Sequence, residues 1–192
     1  GTYGDMGCYS FFPTKNLGCF GDGGLIVVKS KKNYEILKKL RTHGGTRRNQ
    51  HDLIGYNSRL DEIQAAILNI KLNFLESFIE KRIKIAEIYY KTIDNDKLRL
   101  PFCYKKSDHT FNQFTIRVKN RRKLELYLKK NGIPYGIYYS MPIYKYNAYI
   151  NDNYKSLPMA EKISKECISI PIYPELPVEY ARKISRVLNN YE

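Results

Sequence analysis

No stretch of the chain approaches the roughly 20 consecutive apolar residues of a membrane-spanning helix. The start, GTYGDMGCYS, also lacks the basic end and apolar core of a secretory signal. A soluble, cytosolic protein with no membrane partner is expected. The four cysteines, Cys8, Cys19, Cys103 and Cys167, form no CxxC pair, and only three histidines accompany them. That excludes the usual zinc spacings and leaves reduced, structural thiols with no metal site. Internal repeats and low-complexity segments are missing too, so fibrous and disordered classes do not apply. Acidic residues are few, 19 against 33 lysines and arginines, for a formal charge of +14. The basic residues are spread over helix faces (Lys31, Lys32, Lys38, Lys39, Lys81, Lys84, Lys129, Lys130). With no basic arm, a nucleic-acid partner is not expected, because charge alone supports only solubility and non-specific steering. An initiator methionine is missing as well, and the opening Gly-Thr-Tyr-Gly-Asp reads like the middle of a turn, so a fragment of a longer protein is expected.

What is present reads as two parts. Residues 7–12 (GCYSFF) and 23–28 (GGLIVV) are short apolar runs bounded by glycine and proline, which predicts two buried strands. Between them lies PTKNLGCFGDG, rich in turn formers. Ile36, Leu37 and Leu40 predict a helix over 31–42, followed by the long polar stretch HGGTRRNQHD, and long ordered loops are often functional. Ser58-Arg-Leu-Asp61 has the capping-box pattern, and Leu60, Ile63, Ile67, Ile70 and Phe74 recur at helical spacing behind it. This predicts a helix from Ser58 to about Tyr90, with a break near Ser77. Further on come a strand at 112–118, a helix at 120–131, a strand at 133–139, a helix from Pro158 to Cys167, the strand ISIPIY and a helix from Pro177. Residues 91–192 thus read as a separate α+β unit behind an α/β part ending near residue 90.

The window Ser10 to Gly24, SFFPTKNLGCFGDGG, puts Lys15 in a rigid loop between two strands. Partial desolvation there would lower its pKa and make it a better nucleophile and base. The same context suits an ordinary solvated loop lysine, the commoner state of that residue. His43 has no partner that would make it a catalyst or ligand, and a paired-carboxylate reading of Asp22, Asp61 and Glu62 has little support because Asp22 reads as a turn residue and Asp61 as a cap.

This window resembles the cofactor-lysine motif of the sugar aminotransferases known as the DegT/DnrJ/EryC1/StrS family. GYNSRLDEIQAAIL (55–68) resembles that family's next signature, and SIPIYPEL (169–176) its C-terminal one; the three blocks, in order, span nearly the whole chain. The resemblance implies a fold-type I α/β transferase, with residues 1–90 the end of the large cofactor domain and 91–192 the small domain. It implies pyridoxal 5′-phosphate carried on Lys15, which also moves the proton between substrate and cofactor. Ser10 matches the serine on the cofactor phosphate, and Asn57 the asparagine that reaches the phosphate of a neighbouring subunit, so a homodimer with shared sites is implied. A plain helix cap remains open for Asn57, and a strand-end hydroxyl bonded to backbone for Ser10. Arg59 matches an arginine that in some relatives meets an acidic group of the substrate, with a solvated or salt-bridged arginine an equal reading.

Residues 136–149, GIYYSMPIYKYNAY, fall where relatives read close to YYPxPLHLQxAY and contact the sugar. Ser140 stands for proline, Tyr144 for histidine and Tyr146 for glutamine. Tyr138 and Tyr139 are the implied substrate-binding residues here, with packing at a domain seam an equal reading of a tyrosine-rich stretch. The implied reaction moves an amino group from an amino-acid donor, glutamate, to a nucleoside-diphosphate keto sugar for amino-sugar or cell-surface glycan synthesis. The rivals are pyridoxamine-dependent dehydration, which Lys15 argues against because those relatives carry histidine there, and a non-catalytic remnant or interaction domain of the same fold. In relatives, the aspartate on the pyridinium nitrogen and the aromatic stacked on the ring lie upstream of Gly1.

Overall fold

A computed structural model describes residues 1–103, 109–149 and 154–192. The chain divides into two compact units, Gly1–Glu76 and Ser77–Glu192.

In the first unit, β1 (Met6–Ser10) and β2 (Gly24–Val28) pair antiparallel in the register Met6↔Val28 to Ser10↔Gly24. Both strands form where the apolar runs predict them. They are not buried: Met6, Tyr9, Leu25, Ile26 and Val27 are exposed. A two-stranded sheet becomes an interior only when another layer covers it, and no such layer lies over this one among the described residues of the unit. α1 (Lys31–Leu40) is capped by Ser30, whose hydroxyl accepts from Asn33 N. α2 (Glu62–Leu72) starts three residues later than the capping-box pattern implies. Ser58 donates its own N–H to Arg41 O at 3.0 Å and Asn57 bridges Thr42, so 57–58 is extended backbone and Asp61 becomes the N-cap, without a side-chain bond. The helix break falls at Asn73–Phe74, and α3 (Leu75–Thr92) follows.

α3 contributes Ile85, Ala86 and Tyr89 to the core of the second unit. The unit's sheet has the order β3 (Leu98–Arg99), β4 (Phe114–Val118), β5 (Cys167–Ile170), all antiparallel. In β4, Phe114, Ile116 and Val118 are buried while Thr115 and Arg117 alternate outward, as period-2 patterning requires. α4 (Arg121–Lys130), α5 (Pro158–Glu166) and α6 (Val178–Asn189) complete it. Leu124 and Leu128 of α4 and Ala181, Ile184 and Leu188 of α6 are buried in the same core. Pro177 sits at the N-cap of α6.

The strand expected at 133–139 does not form. Only Gly136 pairs, exchanging two hydrogen bonds with Ser169 (3.0 and 2.7 Å), and Pro134 two residues before it has no N–H to extend the ladder. Arg82 is buried in α3 and its Nη1 donates to the carbonyls of Phe111, Asn112 and Ile172 at 3.2, 3.2 and 2.8 Å, joining two loops to the helix. Among the described residues no helix is long and apolar enough to cross a membrane, no group of three His, Cys, Asp or Glu is placed to hold a metal, and all four cysteines are free.

Candidate active site

Ser10 closes β1 and Gly24 opens β2 directly opposite it, so the thirteen residues between them must turn back within one strand spacing. The loop is fastened at several points. Phe11 N donates to Gly23 O (2.8 Å), Cys19 N to Phe11 O (2.8 Å) and Lys15 N to Phe12 O (2.9 Å). Phe12 N donates to Ser10 Oγ at 3.3 Å. The Cys19 thiol, fully buried, donates to Phe11 O and Gly21 O, each at 3.0 Å, and forms the loop's interior. Two glycines let the chain fold this closely: a Cβ at Gly18 would stand 2.6 Å from Pro13 O, and one at Gly23 would stand 2.8 Å from Cys19 Sγ.

Lys15 projects from this rigid loop and its side chain is exposed, with no hydrogen bond or ion pair among the described residues. Of the two local readings of this lysine, the solvated one describes this unit: Lys15 is exposed, while Cys19 fills the loop's interior. What the fold supplies is a positioned, uncommitted amine.

Two residues that sequence reasoning missed hold the loop from α2. Gln64 Oε1 accepts from Phe20 N at 2.8 Å. Lys71 Nζ donates to Gly18 O at 2.5 Å and lies 5.6 Å from the centre of the Phe20 ring. Gln64 and Lys71 are seven residues apart, two helical turns, and so share a face. Their spacing was the one available signal, but their partners lie 44 and 53 residues away.

The second signature is placed by the end of α1. The last carbonyls of a helix lack intrahelical partners. Here Leu40 O accepts from Tyr56 N (2.7 Å) and Arg41 O from Ser58 N (3.0 Å), while His43 N donates to Tyr56 O (2.9 Å). Gly44, at φ +87°, makes the turn possible, and a Cβ on it would meet Leu53 O at 1.6 Å. Asn57 is held between these anchors and is not a helix cap. Arg59 Nη2 donates to Asn57 Oδ1 at 3.3 Å, so the structure brings these two candidates together. Both are exposed.

Tyr138 and Tyr139 belong to the second unit. Their rings pack edge to face, centroids 5.7 Å apart at 82°, and both stay largely solvent-facing. Tyr144 is committed elsewhere. Its hydroxyl donates to Glu161 Oε1 (2.7 Å) and accepts from Leu157 N (3.1 Å). Glu161 also accepts from Ser156 Oγ (2.7 Å) and pairs with Lys145 (2.7 Å). The Lys145 ammonium, with the Tyr144 and Ser156 hydroxyls, pushes the Glu161 carboxyl down to about 2.

Relatives fit this arrangement of blocks. The model of the DegT/DnrJ/EryC1/StrS aminotransferase family matches residues 1–189. A pleiotropic regulatory protein of Geobacillus stearothermophilus is 41% identical, over 93% of this chain and 50% of its own. A UDP-N-acetyl-3-dehydro-alpha-D-glucosamine 3-aminotransferase of Acidithiobacillus ferrooxidans is 37% identical, over 98% of this chain and 51% of its own. The crystal structure of S. venezuelae DesV, solved with a ketimine intermediate, superposes with a TM-score of 0.91 at 34% identity, over 98% of this chain and 52% of that one. The chain spans about half the length of the curated relatives it matches. With a match running from the first residue through the last helix, over the lysine loop, the Asn57 turn and the β5 segment alike, the chain belongs to the DegT/DnrJ/EryC1/StrS aminotransferase family.

Proposed function

We propose that this chain is the lysine-bearing part of a pyridoxal-phosphate-dependent transaminase that moves an amino group from glutamate to the keto carbon of a nucleoside-diphosphate sugar. The observation that carries the reading is the Lys15 amine, uncommitted on a loop fastened to β1, β2 and α2. The donor set suits the cofactor: a primary amine, the Ser10 hydroxyl at the root of the same loop, and the Asn57 amide, whose nitrogen makes no hydrogen bond among the described residues. Pyridoxal phosphate, when bound, supplies the ring that withdraws electrons from the carbon losing or gaining a proton.

Lys15 anchors that group and, once released, carries the proton at its Nζ. Ser10 donates to the phosphate. Asn57 does so across a homodimer interface, and Arg59, by holding the Asn57 oxygen, turns the amide nitrogen outward and offers its remaining donors to an acidic part of the substrate. Tyr138 and Tyr139 offer exposed ring faces and hydroxyls to the sugar nucleotide. Residues 1–76 are assigned to the end of a large domain, whose other part covers the apolar faces of β1 and β2, and 77–192 to a small domain; the packing of Ile85, Ala86 and Tyr89 into the second unit's core supports a boundary ahead of the residue 90 expected from the sequence. The reaction belongs to amino-sugar biosynthesis in the cytoplasm.

Full-length protein titrated with pyridoxal phosphate should gain visible absorbance, and Lys15→Ala should abolish it. A protein that stays colourless at excess cofactor is the non-catalytic relative instead. Mixed Lys15→Ala and Asn57→Ala subunits should regain part of the activity that each lacks alone; no rescue removes the shared-site assignment.

A further inference from the structure

The second unit has a cavity of about 660 Å³ that none of the candidate active-site residues line. It lies between β3, the end of β4 and the turn after it, the first turn of α4, one side of α5 and the segment after α6. Six of its lining side chains are cationic and three are carboxylates. One pair cancels internally: Arg117 donates to Glu166 Oε2 through Nη2 (2.7 Å) and Nε (3.1 Å). The other five cations are Lys97, Arg99, Lys119, Lys123 and Lys162, facing only Asp96 and Glu192. Among the described residues none of the five has a carboxylate partner, and all are exposed. Lys123 rests over the Tyr191 ring at 5.8 Å, which keeps its ammonium at the rim. The first turn of α4 adds the positive end of a helix to the same wall.

Like charges gathered around a concavity repel one another unless a counter-charge enters, and they concentrate anions there. The volume lies within the range of small-ligand sites, whereas a nucleic-acid surface is read from an extended basic stripe. We propose that this cleft is a binding site for a small, multiply charged phosphate compound, with a diphosphate as the recognised group. Free pyrophosphate and a nucleoside diphosphate share that chemistry.

The test is calorimetric titration of the full-length protein, saturated with pyridoxal phosphate so that its phosphate site is filled, with inorganic pyrophosphate. We expect saturable binding that survives in Lys15→Ala, and the cleft is read as the part lost in the variants below, since binding at the sugar-nucleotide site of the proposed function persists in them. The double variant Arg99→Glu/Lys123→Glu should weaken it by about tenfold or more, and Arg99→Gln/Lys123→Gln by less, since each exposed charge pair contributes modestly. Both positions are solvent-facing, and an unchanged unfolding midpoint confirms that the variants fold. UDP binding more tightly than pyrophosphate, with the excess lost in the double variant, identifies a nucleotide as the occupant; equal affinity identifies the diphosphate alone. The proposal is overturned if wild-type protein shows no saturable binding, if the double variant binds within twofold of it, or if a short DNA duplex binds this cleft in preference to pyrophosphate. Turnover is not read, so failure here leaves the aminotransferase reading untouched.

Discussion

Replacing Lys71 by methionine should loosen the Lys15 loop without unfolding the protein. The substitution keeps the length of the stem and removes the ammonium. Two interactions go with it: the bond to Gly18 O at 2.5 Å and the contact with the Phe20 ring at 5.6 Å. A hydrogen bond from a charged donor contributes about 1.5–3 kcal/mol, and here the acceptor belongs to a buried glycine whose carbonyl is not readily rehydrated. Phe20 is largely exposed, so its share is at the low end, about 0.5 kcal/mol. The loop should therefore open more easily by about 2 kcal/mol, which corresponds to roughly thirtyfold in an opening equilibrium. Amide hydrogen exchange reads this directly. The N–H groups of Phe11, Lys15 and Cys19 are bonded within the loop and should exchange about thirtyfold faster. Those of Tyr56 and Ser58, bonded to the end of α1, should not change. Acceleration below about threefold at the loop, or equal acceleration at both places, would refute the clamp.

Other consequences are more local. Arg82→Met should cost about 3 kcal/mol in urea unfolding of the second unit, because three carbonyls lose their shared buried donor, and a loss under about 1 kcal/mol would show that water replaces it. Glu161, with its folded-state value near 2 and its ordinary value at 4.5, adds stability that is complete above the ordinary value. That stability is lost as pH falls from there through about 2. The Tyr144 ring signals should shift in this acid window, and Glu161→Gln should remove the transition. Gly44→Ala should displace Asn57, since φ +87° and the approach of Leu53 O both oppose a methyl group. Faster exchange at Tyr56 and Ser58 with an unchanged second unit is the expected result.

The second unit was largely legible in its residues because its elements bury their apolar sides within one core. Phe114, Ile116 and Val118 alternate into it, and Ala181, Ile184 and Leu188 line one face of α6, so period alone reveals which side turns inward. The failures have physical causes of other kinds. Ser58 has the right neighbours for a cap, but the end of α1 claims its N–H, a competition between segments seventeen residues apart that no local pattern records. Residues 133–139 carry aromatic and branched side chains suited to a strand, yet pairing stops at Gly136 because the ladder needs an N–H that Pro134 lacks.

In the first unit the motif located the Lys15 loop but misjudged its surroundings. The apolar runs predict buried strands and the strands are exposed, since composition reports what a surface prefers to meet and not whether this chain supplies it; for Lys15 the local context leaves solvated and desolvated states open, and this unit has the solvated one. The groups that fix the loop, Gln64, Lys71 and the Cys19 thiol, were invisible for the opposite reason: each acts on backbone atoms, which every residue type presents alike. A reactive side chain can therefore be found from its own sequence window, whereas the residues that hold its backbone become visible only once the fold has brought them together.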